Sequence, residues 1–349
     1  MIFAKQAKLS TGWASNVRVT HADGRITDIA PNQTPDAHDT CVDTLLPALA
    51  NLHSHSFQRA MAGMTEYRMA GKDSFWTWRD LMYRFTANLT PEHIEAIAAF
   101  VFLEMQEAGY ASVGEFHYLH HQAGGTPYAD LGELSGRIAA AAATTGIGLT
   151  HLPVLYTYGG AGQAPLQDGQ ARFGNSVERF NDLVAMAREV VAHLPADCRV
   201  GIAPHSLRAT SPDDLKAVLA AHTAGPVHIH IAEQPKEVAD ISAWLGARPV
   251  DWLLANAEVT INWSLIHATH MTADETLKMA KSGAVAGLCP VTEANLGDGP
   301  FNGPSYLEAG GAFGVFLVIA HGGIGDGKAK RQVDDDMADP RCPEREFHS

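Results

Sequence analysis

Cysteine is scarce in this chain of 349 residues. There are four, Cys41, Cys198, Cys289 and Cys342, too far apart for a Cys-x-x-Cys pair. That spacing gives neither a disulfide framework nor a zinc knuckle, and it fits a reducing compartment. Positive charge is also short: 25 Lys and Arg stand against 39 Asp and Glu, a formal charge of −14. Such a balance argues against a nucleic-acid partner, which would call for a basic patch. No uninterrupted apolar run reaches the roughly 18 residues that a membrane helix needs. The start, Met1-Ile2-Phe3-Ala4-Lys5-Gln6, lacks a charged segment followed by an apolar core, so no signal peptide is read there and cytoplasm is the expected location. The remaining composition, 46% hydrophobic and 18% charged, is that of an ordinary globular protein. Its length suits one large α/β domain or two smaller ones.

Histidine, by contrast, is plentiful, with 18 residues that cluster along the chain. The apolar run Leu45-Leu46-Pro47-Ala48-Leu49-Ala50 leads into Asn51-Leu52-His53-Ser54-His55-Ser56. In an extended strand, residues i and i+2 point to one side, about 6.5 to 7 Å apart. Two imidazoles so placed at a strand's end can converge on a metal ion.

The first 45 residues read as short strands, with an Asp23-Gly24 turn between alternating segments. After them the rhythm changes. Thr90 and Pro91 open a helix that runs to about Ala108, where Gly109 stops it. A strand over Ala111–Tyr118 follows. Helices expected at 177–194, 212–222, 236–257 and 273–282 each precede an apolar strand. Those strands are read at Arg199–His205, Pro226–Glu233, Val259–His267 and Ala284–Pro290. Such alternation means parallel βαβ units.

The polar residues fall at the C-terminal ends of these strands: His53 and His55, His117 and Tyr118, His205, His230 and Glu233, then His267. In a (β/α)8 barrel those ends form one mouth, where the chemistry sits. A doubly wound sheet would carry a Gly-rich turn after its first strand, and Asn51–Ala60 contains no glycine. A TIM barrel is therefore the expected fold. A hydrolytic zinc takes about three protein ligands plus water and lowers that water's pKa to about 7. His53, His55 and His230 make such a triple. Glu233 would shuttle protons, and His267 would serve as a second acid or hydrogen-bond donor. His117, His120 and His121 read instead as hydrogen-bonded or exposed imidazoles.

These pieces resemble the amidohydrolase superfamily and, within it, the formimidoylglutamate deiminase family. The resemblance rests on Asn51–Gly63, Asp73–Arg79, Ala203–Arg208, His228–Gln234 and Thr292–Gly299. It implies an amidohydrolase-type (β/α)8 barrel over residues 46–315 and a small β domain, part of a composite sandwich, over residues 1–45. The implied reaction is zinc-dependent hydrolysis of N-formimino-L-glutamate to N-formyl-L-glutamate and ammonia, a step of histidine degradation. One Zn2+ per chain would be held by His53, His55 and His230. Glu233 and His267 would be catalytic, while Gln58, Arg79, Tyr118, His205 and Arg208 would hold the substrate. Arginine's fork matches a carboxylate in a bidentate way, which suits a small dicarboxylate. The strand ending in His205 carries no lysine, against a carbamate-bridged two-metal site. Neither nucleic acid nor membrane is expected as a partner, and a homodimer is compatible with the resemblance.

From about residue 315 the sequence departs from that pattern. The resemblance implies a metal-ligating aspartate at the end of the last barrel strand. This chain reads Phe316-Leu317-Val318-Ile319-Ala320-His321 there, with no acid. Gly322–Ser349 is Gly-rich and charged without periodicity and reads as disordered, so residues 316–349 are taken as an aberrant tail. Gly322–Lys328 is a poor P-loop, since Ala329 stands where Ser or Thr must reach magnesium. The expectation is a gene lesion near residue 315 and an incompletely closed barrel. Two rival readings follow: a related zinc deaminase acting on a heterocyclic base or another amidine, and an inactive remnant lacking the aspartate.

Overall fold

The computed structural model describes residues 1–64 and 75–315, with side chains of its helix Phe75–Thr86 described from Trp78 onward. The expectations for Asp73 and Ser74, for the side chain of Trp76, and for the tail with the departing end of the last strand lie outside the described residues.

Residues Met1–Leu49 form one compact unit. Its four strands are β1 (Ile2–Leu9), β2 (Gly12–Ala22), β3 (Arg25–Ala30) and β4 (Thr40–Leu45), in the sheet order β3-β2-β1-β4. The expected Asp-Gly hairpin is present: Ala22 pairs with Arg25, and Asp23 and Gly24 take φ of 50° and 73°. Both angles are positive, as a two-residue type I′ turn requires. Ala4, Ala7, Val17 and Val19 form the small core of this sheet.

The second unit begins at Ala50 and is built of parallel strands. They are β5 (Leu49–Ser54), β6 (Tyr110–His117), β7 (Gly148–Leu155), the short pair β8 (Arg199–Val200) and β9 (Ala203–Pro204), β10 (Val227–Ile231), β11 (Trp263–His267), β12 (Val285–Leu288) and β13 (Ala312–Val315). Their order in space is their order in the chain, β5-β6-β7-β8 and β10-β11-β12-β13, with β9 also on β7. Bridges Ile202↔Val227 and Ser206↔His230 join the two runs. With β8 and β9 counted as one interrupted strand, eight positions result among the described residues, the number the (β/α)8 reading requires. Leu52 of β5 packs on Gly314 of β13 and Gly287 of β12, where an added Cβ would come within 2.8 and 3.5 Å of its Cδ2. The first and last strands thus share interior packing.

Two differences from the sequence reading have local causes. The helix expected over 236–257 is two helices, Pro235–Leu245 and Pro249–Asn256. Gly246 ends the first in the left-handed conformation, φ 74°, and Pro249 opens the second. Both residues are standard stops and starts. The sequence reading also passed over one complete unit, the helix Glu133–Thr145 and strand β7. That helix is rich in alanine, which blurs the apolar period, although its Gly146 cap is left-handed as usual. The helix after Thr90 forms as expected, over Pro91–Glu107, with the Thr90 hydroxyl accepting from His93 N.

Candidate active site

His53 lies on β5 and is fully buried, with its backbone N–H donating to Asn51 Oδ1 at 3.2 Å. His55 stands one residue beyond the strand, where the chain turns into a short 3-10 segment, Ser56–Met61. Glu115 of β6 pins that turn, accepting from Ser56 N at 2.8 Å and Ser56 Oγ at 2.7 Å. The turn brings His55 Nε2 to 3.1 Å from His53 Nε2. His230 comes from β10, its ring centred 4.9 Å from that of His53 and 5.4 Å from that of His55. The ligand-capable atoms of these three histidines lie within 4.8 Å of one another.

The second ring nitrogens support the same geometry. His55 Nδ1 is 2.9 Å from Phe116 O, and His230 Nδ1 is 3.1 Å from His205 O. A carbonyl can only accept, so each Nδ1 carries its hydrogen and each Nε2 presents a lone pair. Burial pushes all three pKa values down, that of His55 to about 4. Neutral imidazoles converging through Nε2 are the donor set of a metal site, and the residues fit one.

Beside them, His267 ends β11 in a strained backbone, φ 71°, followed by Ala268 at φ 49°. Non-glycine residues rarely adopt this region, and such strain collects at functional sites. The bend stacks the His267 ring on His230, with centroids 5.5 Å apart. It also puts Nε2 3.5 Å from Glu233 Oε1 and Nδ1 3.3 Å from Glu293 Oε1. Burial disfavours the charged imidazole, yet the neighbouring Glu233 and Glu293 carboxylates favour it, and its pKa is held well above the usual value. The Cys289 thiol is itself pushed up to about 12 by burial. It therefore stays protonated near neutrality, and the carboxylates supply the charge. His267, Cys289 and Glu293 form a second tight donor set, bound internally: Glu293 Oε1 also accepts from Cys289 N at 2.9 Å.

All ten site residues expected from sequence line one pocket: His53, His55, Gln58, Arg79, Tyr118, His205, Arg208, His230, Glu233 and His267. Gln58 Nε2 donates to Tyr118 Oη at 2.8 Å. Arg79 lies over the Tyr83 ring at 5.6 Å. Arg208 approaches Glu237, Nε to Oε2, at 3.7 Å. His117, His120 and His121 are buried but do not line the pocket, and His120 and His121 are bonded to Val154 O and Gly174 O. The sequence reading assigned no part to Tyr156, Phe173 or Trp78, which add aromatic walls to the pocket. Tyr156 follows β7, the strand it passed over. Glu293 fell within the quoted Thr292–Gly299 motif but received no role.

The comparisons with known proteins agree with this geometry. The Amidohydrolase family model matches residues 44–333, and the model of the formimidoylglutamate deiminase HutF N-terminal domain matches residues 1–41. The chain belongs to the amidohydrolase family. The family match runs past residue 315, further than the quoted motifs reach. The chain is 50% identical over 319 residues to formimidoylglutamate deiminase of Pseudomonas aeruginosa, covering 90% of this chain and 69% of that protein. It is 26% identical to a 5-methylthioadenosine/S-adenosylhomocysteine deaminase of Nitratidesulfovibrio vulgaris, spanning only 61% of it. Among solved structures, an amidohydrolase from Brucella melitensis superposes with a TM-score of 0.89 at 50% identity, over 96% of this chain and 75% of that one. An adenosine deaminase from Xanthomonas campestris with bound zinc shares the fold, TM-score 0.70 at 18% identity, over 92% of this chain and 68% of that one. Membership makes the chain one of a family of hydrolases with a metal-binding barrel. No helix among the described residues is long and apolar enough to cross a membrane.

Proposed function

We propose that this chain hydrolyses N-formimino-L-glutamate to N-formyl-L-glutamate and ammonia, using one zinc ion held by His53, His55 and His230. The observation that carries this reading is one pocket holding three convergent imidazoles, the Glu233–His267 pair and two arginines. Half-identity to the Pseudomonas deiminase supports the same substrate. Bound zinc would supply Lewis acidity and a water of lowered pKa.

The chain's own residues do the rest. Glu233 accepts a proton from the attacking water and passes it to the departing nitrogen. His267, held positive between Glu233 and Glu293, donates a hydrogen bond toward the negative charge that develops opposite the leaving group. Arg79 and Arg208 take the substrate carboxylates, and Gln58, Tyr118 and His205 orient the formimino end. The aromatic walls from Tyr156 and Phe173 exclude water and strengthen these contacts.

The deaminase relatives keep a second reading in view, a heterocyclic substrate. Two arginines lining the pocket weigh against it, because a guanidinium matches a carboxylate in a bidentate way and a neutral base offers no carboxylate. The test is ammonia release from N-formimino-L-glutamate by the 349-residue chain with zinc supplied. Release that vanishes in His53→Ala and Glu233→Gln is the expected result. Release from S-adenosylhomocysteine but not from formiminoglutamate would overturn the proposal in favour of the deaminase. Metal binding without turnover of either would favour the inactive remnant.

A further inference from the structure

Arg208 lines the pocket, yet it donates no hydrogen bond to any described residue, and its Nε is buried without a partner. An arginine that sits half-withdrawn, its side chain 15% exposed, normally fills its donors with carbonyls or carboxylates, because a buried cation is costly. What offsets the charge here is Glu237. That carboxylate is fully buried and approaches Arg208 only to 3.7 Å, Oε2 to Nε. At this distance the pair retains its Coulomb attraction but forms no hydrogen bond. The fork stays open.

Glu237 has a second contact. It is the third residue of the helix Pro235–Leu245, and its Oε2 accepts from the backbone N–H of Glu233 at 3.0 Å. Helix-starting acids commonly reach back in this way, but a cap needs neither full burial nor an arginine beside it. One oxygen thus touches both ends of the site: the backbone that carries the proton shuttle and the guanidinium that faces the substrate.

We propose that Glu237 is a positioning residue for substrate recognition, supplying the counter-charge that keeps Arg208 in the pocket with its donors uncommitted. This deepens, and rests on, the dicarboxylate reading above. A closer, bidentate Glu237 would occupy the fork and compete with substrate. With no carboxylate behind it, the guanidinium would be drawn out toward water or toward Glu233. The geometry selects for an anionic group that can satisfy the open fork, and against a neutral ligand.

The test is equilibrium binding of N-formyl-L-glutamate to the zinc-supplied full chain, which reads recognition whether or not the chain turns over. Four forms are compared: the unaltered chain, Glu237→Gln, Arg208→Met and the double variant. Gln keeps an oxygen for Glu233 N–H and removes only the charge. Expected is about a tenfold loss of affinity in Glu237→Gln, equivalent to roughly 1.4 kcal/mol. In the Arg208→Met background the same change should make less than about a twofold difference, since its effect passes through the arginine. Equal losses in both backgrounds would mean a structural cap only and would overturn the proposal, as would unchanged or tighter binding in Glu237→Gln. Failure of the unaltered chain to bind N-formyl-L-glutamate would instead bring down the substrate reading, and this inference with it.

Discussion

At the scale of single residues, the site separates into groups that present lone pairs and groups that carry charge. His55 and His230 have one nitrogen tied to a backbone carbonyl, so only the other can face a metal. Glu233 is close to the metal triple in space but is directed at His267 Nε2, 3.5 Å away. It lies outside the three-histidine donor set. The two kinds of residue should therefore part under substitution. His230→Ala should abolish stoichiometric zinc binding, whereas Glu233→Gln should retain it, as read by metal analysis of the dialysed proteins. If Glu233→Gln lost its zinc, the carboxylate would be a ligand and its assignment as proton shuttle would be wrong.

At the scale of elements, positions between strands and helices are set by a few sharp turns. Gly246 lets the helix Pro235–Leu245 end so that Pro249 can begin the next one. An added Cβ there would meet nothing within 4 Å, so replacement tests conformation alone. Gly246→Ala should destabilise the chain by about 1 to 2 kcal/mol, seen as a lower urea midpoint with unchanged slope. A midpoint equal to that of the unaltered protein would show that the two helices can shift to relieve the strain. Gly114 is a different case. A Cβ on this β6 residue would lie 2.4 Å from Leu52 O of β5, so its role is close approach of the two strands that deliver Glu115 and His53.

At the scale of the whole molecule, the unusual feature is how many imidazoles are folded away from water. Burial lowers His55 to about 4 and His151 and His228 to about 3, from 6.5 when solvated. Their contribution to stability is complete above pH 6.5. It is lost as the pH falls toward the folded values, because the unfolded chain takes up protons that the folded chain refuses. Each such histidine removes about 1.4 kcal/mol per pH unit in that window. Glu115 and Asp298 have the opposite sign: burial lifts each to about 7, so their contributions are lost as the pH rises toward 7. Burial also pushes His53, His117, His120, His205 and His230 well below the usual value, so the histidines outweigh the two acids. The urea midpoint of the metal-free chain should hold steady from pH 7.5 to 6.5 and drop steeply by pH 5.5. A flat profile would show that these imidazoles reach water in solution.

Much of this was legible in the sequence, because strand and helix alternate in a period the eye can follow and because barrel strands put their C-terminal residues at one mouth. Every expected site residue, from His53 to His267, could be named by its place at or just beyond a strand end or in a motif. What sequence could not supply was anything carried by contacts between distant elements. Glu115 pinning the turn at Ser56, Glu293 reaching His267, and Glu237 standing 3.7 Å behind Arg208 leave no periodic trace. A lone acid in a helix's first turn looks the same whether it caps that helix or supports an arginine. The strand β7 was lost for a related reason, since alanines in the preceding helix erase the contrast between its faces. Local pattern determined the elements and the chemical groups. Tertiary packing decided which of those groups are neutral, which are charged, and which way each one points.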